Sequence, residues 1–222
     1  MTTATRTNGK TAAIRVLIAD DHPIVRRGLR EMLEEVPDIS VEGEAGNAAE
    51  ILDLARRREW DVLVLDLHFP DRSGLEVLHD LKIAHIDVPV LFLTVSSEEQ
   101  FAIRALRAGA AGYLTKETAP EELVAAVRKV VSGGRYVSAA VAERIALHLD
   151  DETKRPIHES LSDREYEVFH MLASGRTPTQ VAEALHLSVK TISTYRARIL
   201  EKMGLSTNAE LTVYAVRNGI VS

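Results

Sequence analysis

Val16-Leu-Ile-Ala-Asp-Asp-His-Pro-Ile-Val-Arg-Arg-Gly28 sets a run of β-forming apolar residues directly against two carboxylates, and those against a proline at the start of a helical period. A strand that ends in acids and turns at once into a helix is the repeating half of a βα unit. The unit recurs outward from here. Apolar runs at Ile14 to Ala19, Val41 to Glu44, Val62 to Leu67, Val90 to Val95 and Gly112 to Leu114 alternate with helical segments at Ile24 to Glu35, Ala48 to Arg58, Gly74 to Ala84, Glu98 to Ala108 and Pro120 to Ser132. Five such alternations predict an α/β fold, a doubly wound five-stranded parallel sheet with helices on both faces.

The flanks are of a different kind. Residues 1–13 lack aromatic and periodic apolar positions and read as a lead-in, so the first domain spans 14–134. After Gly133-Gly134 an amphipathic stretch, Ala139 to Leu149, and the polar Asp150-Asp-Glu-Thr-Lys-Arg-Pro156 predict a linker over 135–157 that includes a helix. No strand pattern follows. Ser162-Asp-Arg-Glu165 has the form of a capping box and opens a second, smaller all-α domain over 158–222.

Composition narrows the function classes. The 222 residues are 45% hydrophobic, enough for two modest cores, and the absence of cysteine excludes disulfides, thiolate metal sites and a cysteine nucleophile. No apolar run approaches the roughly 20 residues that span a bilayer, and Met1 to Thr11 is polar, so the chain reads as cytoplasmic with no membrane partner. The net charge is -6, but Ile157 to Ser222 holds seven basic and seven acidic residues, so the acidity belongs entirely to the first part.

In an open parallel sheet, ligands bind beyond the carboxyl ends of the strands. Here the first strand ends in Asp20-Asp21, the third in Asp66 and the fourth in Thr94, and Lys116 follows the fifth. Three crowded carboxylates call for a hard divalent cation with oxygen ligands, for which Mg2+ is the natural choice. One carboxylate, Asp66 by position, can then attack a phosphoryl donor while amine and hydroxyl take up charge on the equatorial oxygens. Taken singly, each residue has a structural alternative: Asp20-Asp21 capping the helix that starts near Pro23, Asp66 capping a loop, Lys116 a solvated amine. Their joint placement at successive strand ends favours chemistry.

These residues lie within Val16 to Gly28, Asp66-Leu-His-Phe-Pro-Asp-Arg-Ser-Gly74 and Ala111-Gly-Tyr-Leu-Thr-Lys116, which resemble the receiver domains of NarL/FixJ-type response regulators over about residues 14–134. The resemblance implies a flavodoxin-like receiver in which Asp66 becomes the aspartyl phosphate. It further implies that Asp21, Asp66 and the backbone carbonyl of His68 hold Mg2+, with Asp20 assisting through water, that Thr94 and Lys116 grip the phosphoryl group, and that Tyr113 turns inward as a switch. Phe69 stands where methionine is common in similar receivers. The remaining histidines show no spacing of a metal-ligand set.

From Pro178 to Gly204 the sequence reads as helix, tight turn, helix. Val181, Ala182 and Leu185 face Ile192, Ile199 and Met203 across a common core, and Ser188 caps the second helix. That helix carries Lys190, Thr191, Ser193, Thr194, Arg196, Arg198 and Lys202 against one acid, Glu201, which suits a phosphate backbone. A solvated basic face is the plainer alternative. Leu161-Ser-Asp-Arg-Glu165, Leu172-Ala-Ser-Gly175, Leu187-Ser-Val-Lys-Thr-Ile192 and Lys202-Met-Gly-Leu205 resemble a LuxR-type DNA-binding domain over about residues 158–222. The resemblance implies that Ser193, Thr194 and Ala197 face bases, that Lys190, Thr191, Arg196 and Arg198 lie nearer phosphate, that Thr179 also belongs to the DNA-binding surface, and that the last helix, with Leu211, Tyr214 and Ala215, forms a dimer contact. Ser193, Tyr195 and Asn208 depart from the lysine, histidine and arginine frequent in that family.

Together the two halves imply a DNA-binding transcription factor controlled by phosphorylation, with a histidine kinase as donor, promoter DNA as target and a homodimer as the active form. Two other classes compete. A haloacid-dehalogenase-like phosphatase also uses an aspartyl nucleophile after a strand, but its second Asp, two residues on, is His68 here, so no enzyme acting on an external substrate is predicted. A constitutive DNA binder with a merely dimerising receiver would have no need of the complete acidic set.

Overall fold

The computed structural model describes residues 13–69, 72–95, 99–138, 141–142 and 156–221. The first domain runs β1 (Ile14–Ala19), α1 (Pro23–Glu34), β2 (Ile39–Ala45), α2 (Ala48–Arg57), β3 (Val62–Leu65), α3 (Gly74–Ile83), β4 (Val90–Thr94), α4 (Glu99–Arg107), β5 (Gly112–Thr115), α5 (Ala119–Val131) and β6 (Tyr136–Val137). All strand pairings are parallel, in the order β2-β1-β3-β4-β5-β6. β3 and β4 are buried at every residue, as strands covered on both faces must be. One apolar cluster, built on Val16, Ile18, Val64, Leu91 and Leu93, lies with Leu29, Leu33, Leu123 and Val127 of α1 and α5. The other, built on Leu17, Leu63, Leu65 and Phe92, lies with residues of α2, α3 and α4 and continues into the helical domain.

Six strands, not five, make the sheet. After α5, Gly133 at φ +85 reverses the chain, and Tyr136–Val137 pairs with Gly112 and Tyr113. Two residues are too short to display a period, so the edge strand leaves no pattern in the sequence. The linker helix predicted over Ala139 to Leu149 lies outside the described residues except for Val141-Ala142, which are helical.

A 3-10 turn (Ile157–Ser160) leads into the second domain, which comprises α6 (Asp163–Ala173), α7 (Pro178–Ala184), α8 (Val189–Met203) and α9 (Asn208–Arg217). Three of its helix starts follow from local chemistry. Ser162 and Glu165 form the predicted capping box on α6, Thr177 and Gln180 form one on α7, and Ser188 accepts the Thr191 N–H at the start of α8. Gly204, left-handed at φ +65, ends α8.

Candidate phosphoacceptor and nucleic-acid sites

The strand order reverses direction between β1 and β3, and the residues that end these two strands sit side by side. Ala19 and Leu65 are ladder partners, and the Asp66 N–H donates to Ala19 O at 2.8 Å, which brings the Asp20 and Asp66 side chains to one place. Both are nearly sealed from solvent, Asp20 at 1% exposure and Asp66 at 4%. Lys116 reaches over from the end of β5, with its own N–H bonded to Thr94 O, and its Nζ lies 2.5 Å from Asp20 Oδ2 and 2.7 Å from Asp66 Oδ2. Thr94, fully buried, closes the same end of β4.

The structural alternatives account for only part of what the acids bond. The N-cap of α1 is His22, with no side-chain cap bond, and Asp20 Oδ1 instead accepts the His22 backbone N–H at 2.8 Å. Asp66 Oδ1 accepts only the adjacent Leu67 N–H, leaving Oδ2 to the pocket. Lys116 is part-buried between two carboxylates rather than solvated.

Electrostatics mark the pocket as strained for charge. Burial, reinforced by the Asp20 charge and opposed by Lys116, pushes the Asp66 carboxyl above the ordinary range. Burial works against the charged Lys116, yet the two carboxylates outweigh it and raise its affinity for the proton. Asp21 Oδ1 is buried and hydrogen-bonded to nothing, although His22 Nδ1 stands 2.5 Å away. Asp20, Asp21 and His22 each offer an atom within 4.8 Å of the others. A buried carboxylate oxygen with only an imidazole nitrogen beside it, next to two more carboxylates and one ammonium, fits a hard divalent cation held by oxygen.

Tyr113 on β5 is fully buried, its ring already inside the domain, rather than half-exposed as an ordinary aromatic on a short strand would be. Phe69 is likewise buried in the core.

In the helical domain, α8 presents Lys190, Ser193, Thr194, Ala197 and Arg198 to solvent, and Thr179 at the start of α7 is exposed as well. Ile192, Ile199 and Met203 face the core. The Ser193 and Thr194 hydroxyls donate to the backbone carbonyls of Val189 and Lys190, one turn back. Arg196 is half-buried and its Nε donates to Asn208 Oδ1 at 2.5 Å, tying α8 to α9. The unusual Asn208 thus has a structural partner in the basic helix itself. Lys202 is spent on Glu165 of the capping box, at 2.6 Å.

The last helix requires a correction. Leu211 and Ala215 are fully buried in the core of their own domain, and Tyr214 is half-buried with its hydroxyl 3.0 Å from His158 Nδ1. Intradomain packing uses Leu211 and Ala215, which leaves Tyr214 as the member of that strip with surface for a second copy. The large apolar residues of α9 that face solvent are Val213 and Val216, 49% and 54% exposed.

The domain contact was not anticipated. Arg104 on α4 donates to Leu161 O and His158 O at 3.0 and 2.8 Å, pairs with Asp163 at 3.2 Å and stacks 4.2 Å from the Tyr166 ring centroid. Arg107 pairs with Glu159 at 2.8 Å, and Phe101 meets the Tyr166 ring edge-on. His68, two residues after Asp66, holds Nε2 2.9 Å from Glu167 Oε1, an ion-pair distance rather than an aligned hydrogen bond. These partners stand 50 to 100 positions apart, so no local pattern could have revealed them.

Residues 16–128 match the profile of the response regulator receiver domain, and residues 159–215 match that of bacterial regulatory proteins of the luxR family. The chain belongs to the response regulators. This response regulator is similar to UvrY of Escherichia coli K12, 37% identical over 93% of this chain and 95% of that protein, and to GacA of Pseudomonas aeruginosa, 38% identical over 94% and 98%. It also resembles the structure of RcsB from Salmonella enterica serovar Typhimurium bound to promoter rprA in the presence of phosphomimetic BeF3-, at 27% identity and TM-score 0.62, covering 91% of this chain and 98% of that one. The response regulator therefore joins a receiver to a LuxR-type DNA-binding domain and is a transcription regulator of a two-component system. Among its described residues no helix is long and apolar enough to cross a membrane.

Proposed function

We propose that Asp66 accepts a phosphoryl group from a partner histidine kinase and that the phosphorylated receiver promotes dimeric binding of promoter DNA through α8. The observation that carries this reading is the convergence of Asp20, Asp66 and Lys116 in one nearly dry pocket at the strand ends. An Asp66 carboxylate oxygen attacks phosphorus as the bond to the donor atom breaks, and the donor leaves with that electron pair. Lys116 then faces the new negative charge in place of one carboxylate, while Thr94 supplies a hydroxyl from the neighbouring strand end. Asp21, Asp66 and the His68 carbonyl would hold Mg2+, with Asp20 behind them through water, and the ion supplies neutralisation of the crowded carboxylates and of the transferring oxygens.

At the output end, the exposed Ser193, Thr194 and Ala197 are placed to meet base edges, and Thr179, Lys190, Thr191 and Arg198 to meet phosphates, in a major groove. Arg196 joins them only by leaving Asn208. The DNA-bound RcsB relative supports this docking. A dimer contact on α9 falls to Val213, Tyr214 and Val216, and a two-fold pair predicts inverted half-sites.

The test is a titration of labelled promoter-pool DNA at fixed salt, with Mg2+, with and without acetyl phosphate, on wild type and Asp66→Asn. Tighter specific binding on adding the phosphodonor, in wild type alone, is expected. DNA binding by both proteins with no response in either would hand the function to a constitutive DNA binder.

A further inference from the structure

The His68 residue belongs to two places at once. Its backbone sits two positions beyond Asp66, while its ring lies between the domains, 2.9 Å from Glu167 Oε1 of the helical domain and edge-on to Phe101 of α4 at 6.2 Å between centroids. Glu167 is 2% exposed and is held from behind by Arg164, itself buried, at 2.6 Å. Its carboxylate is therefore a fixed feature of the second domain, reaching the phosphoacceptor loop of the first. The Arg104 and Arg107 contacts on α4 keep the two in register.

We propose that Glu167, a residue of the DNA-binding domain, is a positioning residue for the phosphoacceptor site: docked on α4, it engages the His68 ring and so opposes phosphoryl transfer to Asp66. The inference rests on the reading that Asp66 is the phosphoacceptor. The charges of Glu167 and Asp66 both act on the His68 imidazole, so negative charge added at Asp66 and the Glu167 carboxylate compete for one ring. His68 makes and breaks no bond itself. In transfer from acetyl phosphate, the Asp66 oxygen bonds phosphorus while the phosphorus–oxygen bond to acetate breaks and acetate departs. Because coupling between two equilibria is reciprocal, whatever the docked domain costs the phosphoprotein, phosphorylation costs the docked state by the same factor.

The test is a double-mutant cycle on the full chain, with the initial rate and extent of phosphoprotein formation read from acetyl phosphate and Mg2+. Glu167→Gln keeps the size of the side chain and an acceptor for Arg164, and His68→Ala keeps the backbone carbonyl. Glu167→Gln is expected to raise phosphoprotein formation roughly fivefold or more, the lower range of allosteric coupling, and to lose that effect in the His68→Ala background. An equal effect in both backgrounds means a merely structural glutamate and overturns the proposal, as does no effect in either. A second measurement does not depend on those variants. The chain has no cysteine, so Arg107→Cys with Glu159→Cys gives a unique pair for a short bis-maleimide that locks the domains together. The locked protein is expected to take up phosphate more slowly than the same variant uncrosslinked, and equal rates overturn the proposal. If wild type takes no phosphate at all, the Asp66 reading falls and this inference with it. A phosphorylated wild type without coupling sinks this inference alone.

Discussion

Substituting Gly74 by alanine should disable the pocket from behind. A Cβ at this first residue of α3 would stand 2.2 Å from the carbonyl oxygen of Asp66, 3.0 Å from the Phe92 ring and 3.1 Å from Leu67 Cα. An ordinary carbon–oxygen approach is about 3.3 Å, so something must move by about 1 Å. The helix cannot retreat alone, because the Gly74 N–H is bonded to Leu67 O at 2.7 Å and Ser73 and Glu76 fix the helix start in a capping box. The backbone that carries Asp66 is the remaining member to give way. Overpacking of this kind costs about 1–3 kcal/mol of stability, and a 1 Å misplacement of a reacting group costs on the order of 100-fold in rate. Phosphoprotein formation from acetyl phosphate, followed beside a thermal melt, should show a rate loss far larger than the loss of folded protein explains. Gly28→Ala is the control: it lies within α1 with nothing within 4 Å of its Cβ, so it should gain about 0.5–1 kcal/mol and phosphorylate normally. A Gly74→Ala protein that is phosphorylated at the wild-type rate would refute the claim that this contact sets the position of Asp66.

Three further outcomes follow from the same geometry. Mg2+ at a hundred times its dissociation constant should stabilise the chain by about 2.7 kcal/mol, visible as a rise in Tm that EDTA reverses. Asp21→Asn should abolish the rise, and an equal rise in that variant would mean the ion binds elsewhere. His158, buried and facing Arg104, has its proton affinity lowered to about 4, with burial the larger cause, Arg104 the second and Glu159 opposing. Its unfolded form takes a proton first on acidification, so stability is present above about pH 6.5 and is lost as pH falls toward 4. Denaturant melts at pH 7.5 and 5 should show His158→Gln losing about 1–2 kcal/mol less than wild type over that interval, and parallel losses would contradict it. Arg198→Ala should weaken binding to all DNA alike and flatten the salt dependence by roughly 0.9 in slope, whereas Ser193→Ala should shift preference among sequences. A sequence-selective effect of Arg198→Ala in the same gel-shift series would reverse those roles.

Much of the pocket was readable in the sequence because strand ends are a local property. A strand covered on both faces shows as a continuous apolar run, so Val62 to Leu65 and Val90 to Thr94 announce themselves, and the residue just past each run is placed at the ligand edge. Asp20, Asp66 and Lys116 are found that way without knowing any distance. Capping is equally local: Ser162 with Glu165 and Ser188 with Thr191 lie three residues apart, within a single turn. The failures occur where a choice depends on packing. On α9, Leu211 and Ala215 and the pair Val213 and Val216 all lie on one short helix, and only the position of α6 decides which pair is core and which is surface. The edge strand β6 exists because β5 has a free edge for it, not because two residues carry a pattern.

The domain contact shows why such a choice bears on function. With the domains docked, the outer face of α8 remains open, since Ser193, Thr194, Ala197 and Arg198 are exposed. The docked arrangement therefore does not keep DNA away by covering the basic helix. What it does hold is His158: Arg104 grips its carbonyl from the receiver side, and its ring meets the Tyr214 hydroxyl from the α9 side. Val213 and Val216 lie on the same helix as Tyr214, so α9 is tied, through one buried histidine, to α4 of the receiver. On the proposed pairing of two copies through α9, a change at α4 would therefore reach the dimer contact before it reached the DNA.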